Sequence, residues 1–220
     1  MTNKRLYIIC GHYGSGKTNV ALNLAFRLKE QGENIAIADL DIVNPYFRTK
    51  DSAEELAQKG IGLICSEYAG SNVDIPALPQ DMYAITDRLD TKYILDIGGD
   101  DRGALALGRL SPKIKQENNY EMLLTVNRFR PLTRDTASVL EVINEIEYAA
   151  QIRFTGIINN SNLGEETTAA DVLSSVEYAE EISKATSLPI ILTAVDERLY
   201  DEVKDKIENA FPLKLQEKIK

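Results

Sequence analysis

Residues 6–18 read Leu6-Tyr7-Ile8-Ile9-Cys10-Gly11-His12-Tyr13-Gly14-Ser15-Gly16-Lys17-Thr18, and this stretch decides the fold. Its first five residues form a short apolar run suited to a buried parallel strand. Gly11, Gly16, Lys17 and Thr18 then fall at the fixed places of G-x-x-x-x-G-K-[ST], the P-loop pattern. Beyond the loop, Val20, Leu24 and Leu28 share one helical stripe, and Gly32 stands where that helix should end. Strand, glycine loop and helix in that order give the pattern a mechanism. The glycines let backbone N–H groups converge on a phosphate, and the helix amino terminus adds partial positive charge. Gly11, His12, Tyr13, Gly14, Ser15, Gly16, Lys17, Thr18 and Asn19 are therefore the expected nucleotide cradle. Lys17 is expected to reach the β- and γ-phosphate oxygens, and the Thr18 hydroxyl to ligate Mg²⁺.

Composition narrows the class. A chain of 220 residues suits one α/β domain with a substantial core of its own. Its net charge of −9 argues against general affinity for nucleic acid or an anionic membrane surface. No run approaches the roughly 18 apolar residues of a membrane span. The chain enters its first strand almost at once, so no signal peptide is expected and the predicted location is cytoplasmic. Cys10 and Cys65 each close an apolar run and are expected as buried thiols in a reducing compartment. With no C-x-x-C and a single histidine, an intrachain zinc or iron–sulfur site is not expected.

Outward from the loop, apolar runs and helical patterns alternate. Further strands are expected at Ile35–Ala38, Ile61–Cys65, Tyr93–Asp96, Tyr120–Val126, Phe154–Ile158 and Pro189–Ala194. Helices are expected near Ser52–Lys59, Gln80–Leu89, Gly103–Leu110, Thr133–Ala149 and Ala169–Thr186. A last one carries Leu199, Val203 and Ile207 before Pro212. Pro45 forbids a helix through Asn44, and residues 66–80 read as a loop around Pro76 and Pro79. The alternation predicts an α/β P-loop NTPase fold. Its mostly parallel central sheet has about seven strands, with helices on both faces, in a single domain over residues 1–220.

Ligands of such sheets bind beyond the carboxyl ends of the strands. Those ends carry the P-loop, Asp39 and Asp41, Asp96 with Gly98-Gly99, Asn127, and Asn159-Asn160. Asp96, closing an apolar strand, is the natural metal partner of Thr18; its ordinary alternative is a turn or helix-cap aspartate. Asp41 is the choice for orienting an attacking water beside the metal, against a structural role. Gly99 has no Cβ to block approach and can offer its backbone N–H to a γ-phosphate.

The loop, Asp39-Leu40-Asp41, Asp96-Ile97-Gly98-Gly99 and Asn159 together resemble the MinD/ParA branch of P-loop ATPases, grouped with the CobQ/CobB synthetases. The resemblance implies a sheet with the P-loop strand at its centre, ATP with Mg²⁺, and slow hydrolysis. It also implies two switch segments, near Asp41 and after Asp96. That branch carries K-G-G-x-G-K-[ST], whose first lysine reaches across an ATP-dependent homodimer. Here His12 stands in that lysine's place and Tyr13 in the next glycine's. A catalytic part for His12 would rest on its charged form, which neighbouring phosphates favour. Asn159 resembles the branch's adenine-contacting asparagine, a strand-end turn former being the other reading.

Base choice follows from an absence. Guanine recognition in related GTPases looks like N-K-x-D, and neither Asn127-Arg128-Phe129-Arg130 nor Asn159-Asn160-Ser161-Asn162 ends in aspartate. An asparagine side chain can donate to and accept from an adenine edge. Beside the first switch, Asn44-Pro45-Tyr46-Phe47-Arg48 groups aromatic and arginine side chains that suit a protein anchor, unless Phe47 folds into the core. The leading expectation is an ATPase acting as a nucleotide-dependent switch toward a protein partner. An ATP-dependent synthetase or small-molecule kinase, with Asp100-Asp101-Arg102 near a second substrate, is the alternative. A non-hydrolysing nucleotide-gated scaffold is the third.

Overall fold

The computed structural model describes residues 3–40, 49–65, 80–98 and 101–216. Its strands are β1 (Leu6–Cys10), β2 (Ile35–Leu40), β3 (Gly62–Cys65), β4 (Lys92–Ile97), β5 (Tyr120–Val126), β6 (Gly156–Asn159), β7 (Ile190–Asp196) and β8 (Ala210–Leu213). The helices are α1 (Lys17–Glu30), α2 (Ala53–Gln58), α3 (Ala84–Asp87), α4 (Asp101–Glu117), α5 (Thr136–Ala150), α6 (Ala169–Thr186) and α7 (Glu197–Val203). All eight strands pair in parallel, in the order β3-β2-β4-β1-β5-β6-β7-β8. This is the α/β P-loop architecture, with one strand more than the sequence pattern suggests.

β1 sits between β4 and β5, and all five of its residues are buried. Period-two alternation splits it between two cores. Leu6, Ile8 and Cys10 pack with residues of α4, α5 and α6, including Leu107, Ile146 and Tyr178. Tyr7 and Ile9 pack with the α1 stripe of Val20, Leu24 and Leu28. Each such aliphatic side chain contributes about 1.5–3 kcal/mol relative to exposure. The loop between β1 and α1 is thus slung between two fully anchored elements.

Two prolines mislead a sequence reading. Pro112 lies inside α4, which runs well past the expected end at Leu110. A proline at 112 cannot donate to the Gly108 carbonyl one turn back. The Ser111 hydroxyl donates to that carbonyl instead, at 3.0 Å. Pro212 lies in the eighth strand, which pairs only with β7 at the sheet edge. An edge strand tolerates the missing N–H. The final helix is accordingly shorter than its apolar spacing implies, ending at Val203 before a 3-10 turn at Lys204–Lys206.

Candidate nucleotide-binding site

The loop leaves β1 at the centre of the sheet and closes on α1, whose amino terminus is left uncapped. Gly16 at its cap position supplies no side-chain bond, and its first turn holds no acidic residue. α5 and α6 differ: Asp135 and Thr168 cap them. Open amides of this kind, with the helix dipole behind them, suit an anion. Two glycines are required for specific reasons. A Cβ on Gly11 would stand 2.7 Å from both Ser15 Oγ and the Thr125 carbonyl oxygen. Gly16 is left-handed at φ +84, and a Cβ there would collide with the Asn160 amide nitrogen. Within the loop, the buried Ser15 hydroxyl has no hydrogen-bond partner among the described residues. An unmet donor in a glycine-shaped concavity fits a ligand rich in acceptor oxygens.

The metal-side residues converge. The Thr18 hydroxyl donates to Asp96 Oδ2 at 2.7 Å, and both residues are buried. A third group, missed in sequence, joins them: the Thr49 hydroxyl donates to the same oxygen at 3.0 Å, and Thr49 is fully buried. Asp39 is the register neighbour of Asp96 on the adjacent strand, so both carboxylates stand on the α1 face. This all-oxygen set suits Mg²⁺. Lys17 completes the group, buried in the first turn of α1. Burial pushes the Cys10 thiol well above its usual range, with the Lys17 charge opposing and the Asp96 charge adding. The thiol is therefore neutral, and the local charges belong to lysine and aspartate.

The remaining expected residues divide. His12 lies in the loop, its Nδ1 accepting from the Tyr13 amide at 2.9 Å. In the neutral ring the proton therefore sits on Nε2. Tyr13 is exposed at the rim. The Asn19 side chain is turned to the carboxyl-terminal segment, where its Oδ1 accepts from the Gln216 amide at 3.0 Å. Asn159 is fully buried and faces away from the loop: it donates to the Ser175 hydroxyl at 2.9 Å and accepts from the Ser161 hydroxyl at 2.7 Å and the Ser161 amide at 3.3 Å. It behaves as the strand-end turn former. Its neighbour Asn160 reaches the loop, donating to the Ser15 carbonyl at 2.7 Å. Asp41, Gly99, Asp100 and the Asn44–Arg48 segment lie outside the described residues, as do the side chains of Asp101 and Arg102.

A groove of about 510 Å³ opens at the opposite, amino-terminal edge of the sheet, beside Tyr7, Arg27, Glu33, Lys92, Asn209 and Phe211. Lys92 there pairs with Glu33, and Arg27 lies over the Phe211 ring. It takes no part in the loop's chemistry. No helix among the described residues is long and apolar enough to cross a membrane.

Across residues 7–219 the chain matches the model of the CobQ/CobB/MinD/ParA nucleotide-binding domain. No curated protein matches it in sequence. Among solved structures, it is similar to the cell division protein FtsY of Thermotoga maritima (TM-score 0.62, 18% identity), over 89% of this chain and 63% of that one. It is similar also to the chloroplast FtsY of Physcomitrella patens (TM-score 0.54, 20% identity, 90% and 60% covered). The signal recognition particle 54 kDa protein of Aeropyrum pernix, solved with GDP, is a third (TM-score 0.54, 14% identity, 87% and 41% covered). The chain thus spans less than two thirds of each of these relatives, and at such identities the likeness is one of fold.

Proposed function

This chain belongs to the CobQ/CobB/MinD/ParA nucleotide-binding family, and from that premise we propose that it is a Mg²⁺-dependent ATPase. Its bound nucleotide would alter the surface around Asn44–Arg48 for a protein partner. The observation that carries this reading is the shared bond at Asp96 Oδ2, where Thr18 of the loop helix meets Thr49, the residue that follows Arg48. A rearrangement at the Asp96 carboxylate would be felt by Thr49, the residue directly after the partner segment. Mg²⁺ held at Thr18 and Asp96 would neutralise phosphate charge. Lys17 and the open amides of α1 would hold the phosphates. Asp41 would orient water, and Gly99 would meet the γ-phosphate with its amide. His12 would act across an ATP-dependent homodimer. The reading puts the protein in the reducing cytoplasm, which suits the buried thiol of Cys10.

ATP is chosen over GTP because neither Asn127-Arg128-Phe129-Arg130 nor Asn159-Asn160-Ser161-Asn162 ends in the aspartate of the guanine-reading pattern N-K-x-D. The GDP in the similar Aeropyrum pernix protein favours the guanine alternative. Calorimetry with each nucleotide and Mg²⁺ decides between them: ATP is expected to bind more tightly. Equal or tighter GTP binding would overturn the base assignment and leave the switch standing. Phosphate release, and sedimentation under ATP and ADP, then test turnover and dimerisation.

The two aspartates should fail differently. Asp96→Ala is expected to raise the Mg²⁺ concentration needed for nucleotide binding. Asp41→Ala is expected to bind Mg·ATP nearly as the parent does but to hydrolyse it at least about tenfold more slowly. Identical behaviour of the two variants would refute this division of roles.

A further inference from the structure

The connection between β5 and α5 is braced as a rigid bracket beside the loop. Asn127 accepts from the Phe129 amide through Oδ1 at 3.0 Å and donates to the Asn162 carbonyl at 3.1 Å. The Thr133 hydroxyl bonds the Asn127 carbonyl at 2.8 Å, and Pro131 fixes the chain directly after Arg130. From this bracket Arg130 extends to the loop rim, where its Nε donates to the Gly14 carbonyl at 3.0 Å. The side chain lies 3.5 Å from where a Cβ on Gly14 would stand.

The bond that this guanidinium makes is to a neutral carbonyl. Arg5 is paired with Glu117, Arg134 with Asp135 and Arg198 with Asp196. Arg130 has no acidic partner among the described residues, although the chain carries 34 acidic side chains against 25 basic ones. One of its five N–H donors is used on Gly14, which leaves both amino groups. Any neutral donor could brace a carbonyl. A planar cation, held in place by a rigid segment beside a concavity shaped for acceptor oxygens, suits an oxyanion.

We propose that Arg130 is a second phosphate-contacting cation of the nucleotide site, supplied by the β5–α5 connection of the same chain. Its Nε steadies the Gly14 carbonyl, and its two amino groups bond phosphate oxygens of the bound nucleotide. The proposal rests on the nucleotide-binding reading above. It implies that the loop rim is finished by a residue more than a hundred positions away, so the β5–α5 connection is part of the site.

The test is calorimetry of the parent, Arg130→Gln and Arg130→Lys with ATP, ADP and adenosine, each at low and high salt. Arg130→Gln is expected to weaken ATP and ADP at least about tenfold and to leave adenosine unchanged. It should also flatten the salt dependence, since one phosphate contact is lost. Arg130→Lys keeps the charge and should recover part of the loss. Because Arg130 is exposed, both variants should melt as the parent does without nucleotide. Unchanged ATP affinity in Arg130→Gln, or an equal loss for adenosine and ATP, would reduce Arg130 to a brace and overturn the proposal. A parent protein that binds none of the three would overturn it together with the nucleotide reading.

Discussion

Gly16→Ala is expected to weaken nucleotide binding by about a hundredfold or more while leaving the fold in place. Two costs meet at this position. The backbone sits at φ +84, where an L-residue is disfavoured by about 1–2 kcal/mol. The added Cβ would also collide with Asn160 Nδ2, which donates to the Ser15 carbonyl. Displacing that amide breaks a buried hydrogen bond and leaves the carbonyl unmet, at about 1–3 kcal/mol more. Together these imply a loss on the order of a hundredfold or more in affinity, because the loop can relieve the clash only by leaving its binding shape. Gly32 supplies the control. Its φ is +86, yet nothing lies within 4 Å of its missing Cβ. Gly32→Ala should therefore lower the melting temperature slightly and bind Mg·ATP as the parent does. If Gly16→Ala binds Mg·ATP within about threefold of the parent, the loop does not depend on this glycine.

What the sequence discloses and what it hides separate by range. β1, the loop and α1 are contiguous, so their reading needs only local pattern and holds. β8 hides because Pro212 looks like a stop, and only its place at the sheet edge makes it a strand residue. α4 hides beyond Leu110 because the Ser111 hydroxyl rescues the turn at Pro112, a bond with no signature in the pattern. Asn159 and Asn160 were separable in principle. Ile157 and Ile158 alternate between the two cores, so consecutive asparagines must diverge, and the one on the α1 side meets the loop. Asn19 looks like cradle because it follows Thr18, but the carboxyl-terminal segment claims its side chain from 197 residues away. Thr49 and Arg130 carry no local signal at all. A threonine before a lysine and an arginine before a proline are ordinary until the fold sets one against Asp96 and the other against Gly14.

Lys17→Ala is expected to cost about 1.5–3 kcal/mol of triphosphate affinity, roughly ten- to 150-fold, by deleting a charge-assisted contact. The stability of the nucleotide-free protein should change less than the nucleotide affinity does. Lys17 is only 3% exposed, and drawing an ammonium out of water carries a desolvation cost that works against its partners in the folded chain. Alanine also suits the first turn of α1. Melting curves with and without Mg·ATP separate the two effects. A ligand that binds only the folded state raises the melting temperature, so the parent should show a nucleotide-dependent rise that Lys17→Ala largely lacks. The neighbouring thiol gives an internal check on local charge. Lys17 lowers the Cys10 pKa against the larger effect of burial, so removing the ammonium should leave Cys10 still less reactive toward alkylating reagents. A variant that melts well below the parent without nucleotide would mean that Lys17 holds the structure together. One that keeps the full ATP-induced rise would remove Lys17 from the phosphate site.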